Sequence, residues 1–166
     1  MEAARSAGEC RFIGVSNYGP GHLRELEAGA DVQPAVNQIE LHPRFHARET
    51  VAHCHARGIA VFGYGNGVSL GSAAAARIAA QLRWSPAQVT LRWTLQQGAG
   101  AVVRSSRREG MAENLAAQHL ALPEDELGAL GDAGEGEPFY WDAGAVPSPL
   151  ASGPNATSDP GGAEEL

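Results

Sequence analysis

Short apolar runs alternate with helical spacings along this chain. Phe12 to Val15 is apolar and stops at Ser16-Asn17, after which Tyr18-Gly19-Pro20-Gly21 turns the backbone. That pattern predicts a strand at about 11–16 handing over to a helix at 20–28, with Leu23 and Leu26 at helical spacing. Upstream, residues 2–7 read as the end of a helix stopped by Gly8. Pro34 introduces a second strand at 35–41, partly alternating and rich in branched residues, and His42-Pro43 ends it. A short helix at 49–57 is capped by Gly58, and 59–64 is a nearly all-apolar third strand. Gly65-Asn66-Gly67 then reads as a loop.

The second half continues the alternation. Ser72 is a good N-cap for the alanine-rich run 73–82. Ser85-Pro86 opens another helix, whose Val89, Leu91, Trp93 and Leu95 are less cleanly spaced and which Gly98 terminates. Residues 99–103 form a fourth strand, closed by the basic, hydroxyl-rich Arg104-Ser105-Ser106-Arg107-Arg108. Helices follow at 109–118 and from 122 to 127, the second with proline and acids in its first turn. From 143 to 166 the chain is rich in Pro, Gly, Ser and Ala without periodicity, which predicts a disordered tail. Alternating strand and helix implies an α/β fold with a parallel sheet. Four strands cannot close a (β/α)₈ barrel, which takes ~250 residues.

Composition narrows the setting. At 166 residues the chain suits one domain with a sizeable core. Its formal net charge of -7 argues against a nucleic-acid partner. No apolar run approaches the ~20 residues that span a bilayer, and no apolar stretch follows Met1-Glu2-Ala3-Ala4-Arg5 to make a signal peptide. The two cysteines, Cys10 and Cys54, read as structural thiols in a reducing, cytoplasmic setting. His42, His46, His53 and His55 lack acidic or cysteine neighbours at metal-ligand spacing and read as surface histidines.

Five stretches, in order, carry a family resemblance. They are Gly8-Glu9-Cys10-Arg11-Phe12-Ile13-Gly14-Val15-Ser16-Asn17, Pro34-Ala35-Val36-Asn37-Gln38-Ile39-Glu40-Leu41-His42-Pro43, Arg57-Gly58-Ile59-Ala60-Val61-Phe62-Gly63-Tyr64, Ser85-Pro86-Ala87-Gln88-Val89-Thr90-Leu91-Arg92-Trp93 and Glu113-Asn114-Leu115. Together they resemble the C-terminal half of an aldo-keto reductase, over about residues 1–142. The resemblance implies a partial (β/α)₈ TIM-type barrel of about four parallel strands with crossover helices. It also implies an oxidoreductase that reduces aldehydes or ketones with NADP(H).

The resemblance assigns roles to particular residues. Ser16, Asn17 and Gln38 match the residues that hold the nicotinamide carboxamide, a group with one acceptor and two donors. Tyr64 matches the tyrosine that stacks on the nicotinamide ring. Read alone, Ser16 and Asn17 would be a turn and Tyr64 a core tyrosine at a strand end. The family's Ser-Pro-Leu-Gly loop over the pyrophosphate is replaced by Gly65-Asn66-Gly67-Val68, with a shortened connection. Arg104-Ser105 stands for the family Lys-Ser, Glu113-Asn114 keeps its spacing, and Gly110 replaces an arginine. Arg104, with Arg107 or Arg108, would grip a 2′-phosphate and favours NADP(H) over NAD(H). Phe139-Tyr140-Trp141-Asp142 resembles either the loop bordering the substrate pocket or a docking patch for the chain end.

The family's catalytic Asp, Tyr, Lys and His have no matching positions here. A half-barrel also leaves an open strand edge and an apolar face. The expected chain is therefore a fragment of a reductase, inactive alone, with a complementary half-barrel or a second copy as partner. A non-catalytic interaction protein on the same half is the alternative. A flavodoxin-like binder is a weaker one, because Pro20 removes an amide donor from the loop after the first strand.

Overall fold

The computed structural model describes residues 1–132, 136 and 138–140. The sequence of elements is α1 (Glu2–Ser6), β1 (Gly14–Ser16), α2 (Pro20–Gly29), β2 (Val36–Glu40), α3 (Arg48–Ala56), β3 (Ala60–Tyr64), α4 (Ala73–Leu82), α5 (Pro86–Gln96), β4 (Gly100–Ala101), α6 (Arg108–Ala116) and α7 (Glu124–Asp132). The four strands form one parallel sheet in chain order. The sheet is open among the described residues: β1 and β4 each have one neighbour. The expected tail, 143–166, and Trp141-Asp142 lie outside the described residues.

Local signals set the element ends. Ser72 Oγ accepts the Ala75 N–H at 3.1 Å and starts α4. Ser85 and Gln88 cap α5 reciprocally: the Gln88 N–H donates to Ser85 Oγ at 3.3 Å, and the Ser85 N–H to Gln88 Oε1 at 3.0 Å. Both outer strands are shorter than the apolar runs predict. β1 covers 14–16 where 11–16 was expected, and β4 covers 100–101 where 99–103 was expected. Each has a ladder on one side only, and each ends while its neighbour continues: β2 runs past Gln38 to Glu40, and β3 extends to either side of the Phe62–Gly63 pair that β4 meets. The expected loop at 65–67 is instead one turn of 3₁₀ helix, Asn66–Ser69, started by Gly65 in the left-handed region.

Alternation along the strands separates two faces. Asn37, Ile39 and Val61 are buried toward the helices, in a core shared with Leu23, Cys54, Ile78, Val89 and Trp93. The blurred period of α5 has a packing cause. It lies against α4, β4 and α6, so Val89, Thr90, Leu91, Trp93 and Thr94 are all buried. On the other face, Phe62 lies over Gly100, where a Cβ would meet the ring at 2.7 Å. Phe62 and Val102 are left exposed there, and Phe12, ahead of β1, is 72% exposed.

Gly63 brings β3 against α5: a Cβ there would meet Thr94 Cγ2 at 2.8 Å and Leu41 Cβ at 3.0 Å. Gly63→Ala should therefore lower unfolding stability by about 1–3 kcal/mol, read as a fall in urea midpoint. Ser85→Ala should cost about 1 kcal/mol by the same measurement, through loss of the α5 cap.

Candidate functional site

Parallel strands deliver their final residues to one end of the sheet. Here that end carries Ser16 and Asn17 from β1, the residues after Gln38 on β2, Tyr64 from β3, and Val102 to Arg104 after β4. The turn after β1 is held from below by Asn37, which is fully buried. Its Nδ2 donates to the Tyr18 carbonyl at 2.8 Å, and its Oδ1 accepts the Tyr18 N–H at 3.4 Å. This two-way clamp leaves Asn17 at φ +60, a conformation asparagine tolerates better than most residues. The Asn17 N–H and the Ser16 hydroxyl both donate to the Gln38 carbonyl, each at 2.9 Å.

Tyr64 reaches across the sheet and donates its phenol O–H to Asn17 Oδ1 at 2.8 Å. Burial, reinforced by the nearby Glu40 carboxylate, pushes the Tyr64 pKa up to about 12, against the opposing effect of the Asn17 bond. The phenol is thus a neutral donor that fixes Asn17. Strand register sets Glu40 opposite Tyr64. The buried Glu40 carboxylate accepts three donors: His42 Nε2 at 2.9 Å, the Phe139 N–H at 2.8 Å and the Tyr140 N–H at 2.9 Å. Because the Arg44 N–H donates to His42 Nδ1 at 3.2 Å, the ring proton sits on Nε2 and points at Glu40. Burial holds His42 below its ordinary value, so the imidazole is neutral, although Glu40 pulls the other way.

Ser69 Oγ lies 3.5 Å from His42 Nδ1, completing a Ser-His-Glu order. It is not a nucleophile site. Ser69 and His42 are both buried, and Nδ1 already accepts the Arg44 amide. The trio instead ties the 3₁₀ turn to the end of β2.

Beside Tyr64 opens a cleft of about 440 Å³, lined by Tyr64, Gly65, Asn66, Thr90, Val102, Arg104, Asn114 and Tyr140 among others. The structure thus gathers Tyr64, Arg104 and Asn114 in one concavity, and ties Asn17 to it through the phenol. It sets Ser105 and Glu113 elsewhere. The Ser105 hydroxyl donates to the Arg107 carbonyl at 3.1 Å and lines a neighbouring depression with Met111 and Leu115. The Glu113 carbonyl accepts from Gln88 Nε2 at 3.4 Å, tying α6 to α5. A Cβ at Gly110 would meet Ser105 Oγ at 2.6 Å, so a side chain there needs the Ser105 hydroxyl to turn aside.

Three residues escaped the sequence reading. Asn37 alternates with Gln38, and nothing in the sequence separates a structural amide from a ligand amide. Glu40 closes an apolar strand, the one signal that it needs partners when buried. Asn66 is buried, its Oδ1 accepts from Thr94 Oγ1 at 2.9 Å, and its Nδ2 has no partner among the described residues. The expectation of surface histidines is corrected for two of four. His42 is 1% exposed, and His46 is buried where it donates to the Pro43 carbonyl at 3.1 Å and packs on Trp93 at 4.7 Å. Each occupies a turn whose backbone groups need a polar side chain, which outweighs the usual exposure of histidine. Among the described residues no helix is long and apolar enough to cross a membrane.

Known proteins resemble this chain in sequence and in fold. The sequence model of the Aldo/keto reductase family matches residues 1–67 and 68–135. An uncharacterized oxidoreductase of Schizosaccharomyces pombe is 35% identical over 153 residues, covering 90% of this chain and 53% of that protein. An NADPH-dependent codeinone reductase of Papaver somniferum is 36% identical over 125 residues, covering 69% of this chain and 39% of its own length. In structure, the aldose reductase of Schistosoma japonicum superposes with a TM-score of 0.79 at 27% identity, over 84% of this chain and 47% of that one. The chain spans about half the length of these relatives. Its sheet, its ordered motifs and its matched span agree: the chain belongs to the aldo/keto reductase family.

Proposed function

We propose that this chain carries the nicotinamide-nucleotide half of an NADP(H)-dependent reductase of aldehydes or ketones. The observation that carries the reading is the convergence of Asn17, Tyr64, Arg104 and Asn114 on one end of a four-stranded parallel sheet, two of them joined by a 2.8 Å bond. A relative named an NADPH-dependent reductase supports the cofactor.

The donor set fits the group. Asn17, Gln38 and the Ser16 hydroxyl would hold the carboxamide, and Tyr64 would offer its ring face to the nicotinamide. Arg104 lines the cleft, where it would meet a 2′-phosphate, and Asn114 lines the same cleft. Ser105 and Glu113 would serve indirectly, by shaping the loop and helix that present Arg104 and Asn114. Asn66 Nδ2, buried beside the cleft without a partner among the described residues, suits an oxygen of the bound nucleotide where the usual loop is shortened. When bound, NADPH supplies the hydride. This chain's own residues would orient the ring and exclude water behind it; among the described residues none is assigned the delivery of the proton that a reduced carbonyl needs.

That proton would come from a complementary four-strand half, contiguous with this one or separate. The exposed Phe12, Phe62 and Val102 favour such a partner, because they present apolar surface where the missing strands would pack. The unpaired Cys10 and Cys54 are in keeping with a cytoplasmic setting.

NADPH titration by nicotinamide fluorescence should show saturable binding below millimolar concentration; a flat titration at millimolar NADPH would remove the cofactor site. Arg104→Ala should weaken NADPH by about tenfold and NADH far less, as expected for a charge-assisted contact to the 2′-phosphate. Carbonyl reduction by this chain alone should fall short of a full-length reductase by at least the roughly 10²–10⁴ that general acid catalysis supplies. Robust turnover in a steady-state assay would contradict that.

A further inference from the structure

The segment Phe139-Tyr140 returns to the sheet a hundred residues after Glu40 and is pinned there. Both of its N–H groups donate to the two oxygens of one buried carboxylate, at 2.8 and 2.9 Å. Glu40 stands opposite Tyr64 in the β2–β3 register, so the pin sets the segment beside the phenol. The Tyr140 ring comes to rest 5.9 Å from the Tyr64 ring, tilted by 60°, and 5.1 Å from Phe139, edge-on. Gly65 makes the approach possible: a Cβ there would stand 3.2 Å from Tyr140 Cε2. Tyr140 also lines the same cleft as Arg104 and Asn114.

The geometry points to an intramolecular stand-in: Tyr140, held by the Glu40 latch, occupies ground beside Tyr64 that a nicotinamide ring needs, and must swing away before that ring stacks. This rests on the cofactor reading above. Tyr140 is 52% exposed and Phe139 63% exposed, so docking buries little apolar surface and the hold comes chiefly from two hydrogen bonds to a charged acceptor. Such a contact is reversible. Apparent affinity for the nicotinamide half of the cofactor is reduced by the fraction of molecules in which the segment is docked. Affinity for the adenosine half, which meets Arg104, is affected less, because the ring contacts of Tyr140 are with Tyr64 and Phe139.

The test uses the full 166-residue chain and its Tyr140→Ala variant. Each is titrated with NADPH and, separately, with 2′,5′-ADP, which lacks the nicotinamide. The variant should bind NADPH roughly tenfold more tightly, with 2′,5′-ADP changed less than about twofold. In the unsubstituted chain, ring-to-ring NMR contacts between Tyr64 and Tyr140 should be present without ligand and vanish on adding NADPH. Equal NADPH affinity in both chains, or ring contacts that survive saturation, overturns the stand-in and leaves the cofactor site in place. Failure of both chains to bind NADPH at millimolar concentration overturns the two readings together.

Discussion

The register of β2 against β3 is the constraint on which the site depends. It pairs Val36 with Ala60 and Glu40 with Tyr64, five rungs in all. Side chains alternate along a strand, so a slip of one residue would turn Asn37 and Ile39 out of the helix-side core and drive Gln38 and Glu40 into it. The first pair is buried and satisfied where it stands, through the Tyr18 backbone and the apolar cluster. The second pair would carry a carboxylate into apolar packing. Core formation and the placing of Glu40 opposite Tyr64 are therefore two outcomes of one alignment.

Around that alignment, polar groups are used as fasteners more than as reagents. Asn37 fastens the turn that displays Asn17, Tyr64 fastens Asn17 itself, and Thr94 Oγ1 donates to Asn66 Oδ1 across the α5 boundary. Glu40, His42 and Ser69 have the order of a hydrolytic triad, yet their burial and their backbone partners make them a brace. Geometry of donors and acceptors alone would have misassigned them; access decides.

Much of the architecture was legible in the chain. The caps at Ser72 and Ser85, the stops at Gly58 and Gly98, and the abrupt polar ends of the apolar runs all mark element ends by local chemistry. Strand lengths were less legible, because β1 and β4 are laddered on one side only, and how far a ladder runs is not a local property. The cleft was legible in part: Tyr64, Arg104 and Asn114 meet there, whereas Ser105 and Glu113 do not. His42 and His46 were misread since their burial follows from a tight turn after β2, closed by the pairing of His42 with Phe45. The returning Phe139-Tyr140 was visible as an aromatic cluster, but its anchor on Glu40 spans a hundred residues, which no periodicity encodes.

Among the described residues β1 and β4 each have one unpaired rim, and this has a thermodynamic consequence. Hydrogen-bonding groups and apolar side chains at those rims stabilise the native state fully only when something occupies them. Whatever occupies them binds the folded form and not the unfolded one, so it adds to stability by mass action. Were a complement to dock there, the melting temperature would become a property of the mixture and would rise with the concentration of that complement.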